Sequence, residues 1–129
     1  MKNITEEVTT LNKLCVISIY VSDIGKAKEF YCEKLGFEIS KVYDHNTVSL
    51  RHEAIPIVLC QTSQSASTRY PEQTQVVLGI ETNDIGSTIT ELERKGVSFL
   101  YEAPQQCPVG LFTAIADPFG NVIELLQFA

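Results

Sequence analysis

The stretch Ser22-Asp23-Ile24-Gly25 returns farther along the chain as Asn83-Asp84-Ile85-Gly86. An apolar, alternating run precedes each copy, and a helix-like run ending in glycine follows it, Gly36 after the first and Gly96 after the second. The order of elements is duplicated, so strand positions in one half can be matched to those in the other.

Outward from the first copy, residues 14–21 read as a strand. Ile17, Ile19 and Val21 share one face and Val16, Ser18 and Tyr20 the other, by the two-residue period of a pleated chain. Asp23 stands where a helix N-cap belongs, its carboxylate able to accept from the free amides of the first turn. Ile24, Ala27, Phe30, Tyr31 and Leu35 follow at helical spacing, and Gly36 suits a left-handed C-cap. Strands are predicted at 37–43, 47–51 and 55–61, the first two joined by a turn at Asp44-His45-Asn46.

Residues 64–75 are rich in Ser, Thr and Gln, contain Pro71 and read as a connection. The second copy sets Val76, Leu78 and Ile80 on an oily face and Val77, Gly79 and Glu81 opposite, after which Asp84 caps a helix carrying Ile85, Ile89 and Leu92 inward. Strands follow at 97–101, 110–116 and 122–127, with Asp117-Pro118-Phe119-Gly120-Asn121 as the last turn. The expected organisation is a single domain. It comprises a flexible tail at 1–12, module one at 13–62, a connection at 63–75 and module two at 76–128.

A chain of 129 residues buries about two-thirds of its unfolded surface, enough for a core without staples. A net charge of -6 with no basic cluster argues against nucleic acid and anionic membrane surfaces as partners. No apolar run approaches the roughly 20 residues of a membrane span, and the start of the chain lacks a signal-peptide layout, so a cytoplasmic protein is expected. Cys15, Cys32, Cys60 and Cys107 form no C-x-x-C pair and are read as buried free thiols.

Two such modules, with Val21-Ser22-Asp23-Ile24 ahead of Phe30-Tyr31 and Leu35-Gly36-Phe37, resemble the vicinal oxygen chelate superfamily, as does the closing run from Asp117 through Asn121-Val122-Ile123-Glu124. That is the group of glyoxalase I, bleomycin-resistance proteins and extradiol dioxygenases. The resemblance implies an α+β fold in which two tandem β-α-β-β-β modules form a cupped mixed sheet with helices outside. It also implies a homodimer, since members of the group commonly pair.

In metal-using members the cup holds a divalent ion with His, Gln or Glu side chains from the first and last strand of each module. The matching positions here are Val16, Val58, Val77 and Glu124. Valine has no lone pair to offer, while even an open catalytic site keeps several protein ligands, so no divalent metal or other cofactor is expected. His45 in a turn and His52 beside Glu53 are expected at the surface.

Alternation predicts a cup wall of Val16, Ser18, Tyr20, Val58, Cys60, Val77, Gly79, Glu124 and Leu126, apolar with a few polar handles, as organic-ligand sites are. One reading is metal-independent binding of a small organic molecule. The alternative is an enzyme of the superfamily, a lyase, isomerase or dioxygenase-like protein, with Glu124 as general base or metal ligand. A third is a collapsed cup filled by Val and Tyr that serves only as a dimer scaffold. For Glu124 alone, the purely structural reading is a hydrogen bond to Tyr20 or Ser18 across the cup.

Overall fold

A computed structural model describes residues 14–65, 69–73 and 76–129. The expected tail at 1–12 and part of the connection lie outside them. The strands form two sheets, one per module. The first contains β1 (Ile17–Val21), β2 (Ile39–Asp44), β3 (Thr47–Leu50) and β4 (Ile57–Gln61), in the order β1-β4-β3-β2. The second contains β5 (Leu78–Glu81), β6 (Ser98–Phe99), β8 (Gly110–Ala116) and β9 (Val122–Phe128) in the order β5-β9-β8-β6, with β7 (Gln105–Cys107) paired to β8. This mixed α+β architecture is the one that the resemblance implies.

In each module the first and last strands run parallel, which demands a crossover, and the helix supplies it. The first crossover is α1 (Ile24–Lys28), which continues without a break into a π-helical turn over Glu29–Lys34. Its wider turn shows in the bond from the Leu35 amide back to the Phe30 carbonyl, at 3.0 Å. The second crossover is α2 (Ile85–Arg94). Both begin as expected, with Asp23 Oδ1 accepting from the Lys26 amide at 3.0 Å and Asp84 Oδ1 from the Ser87 amide at 3.1 Å. Gly36 and Gly96 end the helical runs at φ of 91° and 83°, a conformation that glycine adopts without a Cβ clash.

A second pair of ties repeats the duplication. The Gln61 side chain at the end of β4 accepts from the Ile24 amide at 2.8 Å, and Gln127 on β9 accepts from the Ile85 amide at 2.7 Å. Each module thus locks its helix start to the end of its last strand.

The oily faces predicted for the strands form one core. Val21, Leu50 and Leu59 of the first sheet and Ile115, Ile123 and Leu125 of the second pack with Ala27, Phe30, Tyr31 and Leu92. A buried bond crosses between the modules, the Tyr31 hydroxyl donating to Asp117 Oδ2 at 2.8 Å. Asp117 Oδ1 also takes the amides of Phe119 and Asn121, so the carboxylate that sequence reads as a turn residue organises that turn and anchors the first helix to it.

Some boundaries differ from those expected. β1 begins at Ile17 and β5 at Leu78, which leaves Val16 and Val77 just ahead of their strands. β7 has no counterpart in module one, and its short run between Pro104 and Pro108 carries no alternation long enough to read.

Candidate functional site

Burial of Ile123 and Leu125 against the core turns Glu124 and Leu126 to the opposite face of β9. Register sets Glu124 beside Gly79 on one side and Ala114 on the other, and sets Leu126 beside Glu81 and Phe112. A Cβ on Gly79 would come within 2.9 Å of Leu126 Cδ1, so the leucine methyl occupies the space that the glycine leaves. The result is an apolar floor that carries the Glu124 carboxylate, with exposed Glu81 bordering it beside Leu126.

The carboxylate has a partner from outside the sheet. Tyr70, in the connection between modules, donates its hydroxyl to Glu124 Oε2 at 2.6 Å. Its segment is closed by two bonds between Arg69 and Gln73, one from each amide. The Tyr70 ring stands edge-to-face on Tyr101, with centroids 6.4 Å apart, and Tyr101 stands edge-to-face on Phe112 at 5.6 Å. Such pairs stabilise beyond the area they bury. Desolvation first, then the bond to Glu124 and the neighbouring Tyr101, push the Tyr70 phenol well above its ordinary pKa, so it remains a donor at neutral pH.

The predicted wall residues fall into two groups. Gly79, Glu124 and Leu126 lie together on the second sheet, with Val77 half-buried at its approach. Ser18, Tyr20, Val58 and Cys60 lie together on the first, where register pairs Ser18 with Val58 and Tyr20 with Cys60, and Val16 sits exposed ahead of them. The pairing of Ser18 with Val58 repeats that of Gly79 with Glu124 in the second module, which makes Val58 and Glu124 equivalent positions. Among the described residues no hydrogen bond links the two groups. The bond expected from Tyr20 or Ser18 to Glu124 comes instead from Tyr70, and the Tyr20 ring is 58% exposed. His45 and His52 are exposed.

Sequence reasoning missed Tyr70, Tyr101 and Phe112. A lone aromatic in a Ser/Thr/Gln-rich connection was the available signal for Tyr70, since a solvated linker has no use for a large ring.

The donor set does not fit a divalent ion. Three of the four matching positions are valine, and among the described residues no group of three or more His, Cys, Asp or Glu side chains gathers anywhere. A separate crevice of about 230 Å³ opens on the helix side between Leu35, Phe37, Ile80 and Leu92, where the Thr82 and Thr88 hydroxyls bond each other at 2.6 Å. With those hydroxyls satisfied, it reads as a seam between modules.

Fold and sequence together define the class. The chain belongs to the glyoxalase/bleomycin resistance protein/dioxygenase superfamily, whose family model matches residues 13–125. It is 31% identical to the protein YetH of Bacillus subtilis (strain 168) over 127 residues, covering 91% of this chain and 99% of that one. Among solved structures it resembles TnmS3, an antibiotic binding protein from Streptomyces sp. CB03234, with a TM-score of 0.71, 25% identity and coverage of 95% of this chain and 100% of that one. It also resembles a superfamily member from Sphaerobacter thermophilus DSM 20745, with a TM-score of 0.68, 26% identity and coverage of 91% and 98%. No helix among the described residues is long and apolar enough to cross a membrane.

Proposed function

We propose that this protein binds a small organic molecule on the Glu124 face of the second sheet, without a metal ion, and that Glu124 is the polar group that orients it. The observation that carries this reading is a carboxylate set among Gly79, Ala114 and Leu126 and flanked by the aromatic series Tyr70, Tyr101 and Phe112. An apolar surface with few polar groups is the usual build of an organic-ligand site. The likeness to TnmS3, an antibiotic binding protein, supports a binding role in the same fold.

Metal independence rests on the three valines at the ligand positions. The other wall group, on the first sheet, belongs to the site in a homodimer if a partner's module faces Glu124. Tyr20, paired with Cys60 and 58% exposed, leaves that face of the first sheet with aromatic surface available to such a contact. The four thiols are free but not buried as expected, Cys15 being exposed and the others half-buried; free thiols suit a cytoplasmic setting.

The test is a thermal-shift screen of an aromatic library, run with and without chelator. Ligands that bind only the folded state raise Tm by mass action, so hits unaffected by chelator support the reading. Hits that vanish with chelator, or a Tm that falls with it, contradict it. Turnover of a hit that depends on Glu124 would move the protein to the enzymatic alternative.

A further inference from the structure

The most unusual feature of the site is that it is already in use. We propose that Tyr70 is a built-in occupant of the Glu124 site, and that the external ligand is a hydroxylated aromatic, a phenol-class molecule, that takes its place. This rests on the binding reading above and names the chemistry of its ligand.

Neither sheet supplies Tyr70; the inter-module connection does, through a short segment closed on itself by Arg69 and Gln73. Its side chain presents a flat ring to the edge-to-face series of Tyr101 and Phe112 and a single donor to Glu124. Among the described residues, Glu124 accepts from no other side chain, and its lateral neighbours Gly79 and Ala114 carry no donor. The site is therefore complementary to a phenol. An aliphatic amine would satisfy Glu124 but forgo the ring contacts, and an aromatic without a donor would leave a half-buried carboxylate unpaired.

An internal occupant lowers the apparent affinity for an external one, because only the fraction of molecules with Tyr70 displaced can bind. A hydrogen bond to an ionised acceptor favours the occupied state by a factor of roughly ten or more. Removing the side chain should release that factor to the ligand.

The probe is para-cresol, which is the tyrosine side chain itself, with 4-methylanisole as the ring lacking the donor. Binding is followed by chemical-shift titration of wild type, Tyr70→Ala, Tyr70→Phe and the double variant Tyr70→Ala/Glu124→Gln. The expected result is that Tyr70→Ala binds para-cresol about tenfold more tightly than wild type, and that in Tyr70→Ala 4-methylanisole, which lacks the donor, binds about tenfold or more weakly than para-cresol. Tyr70→Phe should gain less, since its ring still fills the place, and the double variant should lose the gain.

Equal or weaker binding of para-cresol by Tyr70→Ala would overturn the proposal, because a mere wall residue loses contacts when truncated. If Glu124→Gln alone still weakens the hits of the library screen, only the role of Tyr70 falls. If neither variant alters any binding, the reading of the site falls with it.

Discussion

The Tyr70 hydroxyl sits 2.6 Å from Glu124 Oε2, a bond between the connection and the last strand that spans most of module two. It gives a half-buried carboxylate a neutral donor in place of a cation. A glutamate so placed remains open to exchange: any ligand that supplies the same donor can replace a side chain held by one short segment.

Tyr31 and Asp117 make the corresponding buried bond between modules, and it has no such freedom. Tyr31→Phe removes one of the donors to a buried carboxylate and should cost about 1.5 to 3 kcal/mol by denaturant unfolding. Burial first, and Asp117 beside it, hold the Tyr31 phenol far above its ordinary pKa. A raised folded-state pKa means that its contribution is complete below the unfolded value of about 10 and lost as pH rises beyond it. Wild type should therefore lose stability on alkalinisation more steeply than Tyr31→Phe. Parallel alkaline profiles would contradict this.

Asp84 titrates in the opposite sense. The Ser87 amide, then the Ser87 hydroxyl, hold its carboxyl below the usual range. Its folded pKa lies under its unfolded one, so its contribution is present above about pH 4 and disappears as pH falls through the folded value. The Tm difference between wild type and Asp84→Ala should be open at neutral pH and closed in acid. A difference that persists undiminished in acid would show that the side chain acts other than as an ionised cap.

The glutamine ties offer a test of the duplication itself. Gln127→Ala leaves the Ile85 amide without its acceptor in a half-buried setting and should cost about 1 kcal/mol. Gln61→Ala removes the equivalent bond at a more exposed position, and should cost less in the same chemical-denaturation assay. A larger loss for Gln61→Ala would mean that the two modules are not held in the same way.

Much of this fold is legible because its signals are local. Asp23 and Asp84 cap helices, Gly36 and Gly96 end them, and alternation assigns Ile123 and Leu125 to the core, all within a few residues of one another. Aligning Leu59-Cys60-Gln61 with Leu125-Leu126-Gln127 also locates the two glutamine ties, although their role as helix acceptors emerges only in three dimensions. The site is less legible because its decisive contact is not local. Alternation turns Glu124 away from the core, but a strand pattern carries no information about which loop returns over it, and Tyr70 lies 54 residues away in a segment without periodicity. The same holds for Asp117, whose bond to Tyr31 spans 86 residues and is invisible to a turn motif.

The most direct test of the central claim is calorimetric titration of Tyr70→Ala and Tyr70→Ala/Glu124→Gln with the hits of the aromatic screen. With Tyr70 absent no internal donor competes for the acceptor, and the glutamine keeps the size of the side chain and an oxygen while removing the charge. Loss of a charged acceptor predicts at least about a tenfold drop in affinity in the double variant. Unchanged affinity between the two would contradict the claim that Glu124 orients the ligand.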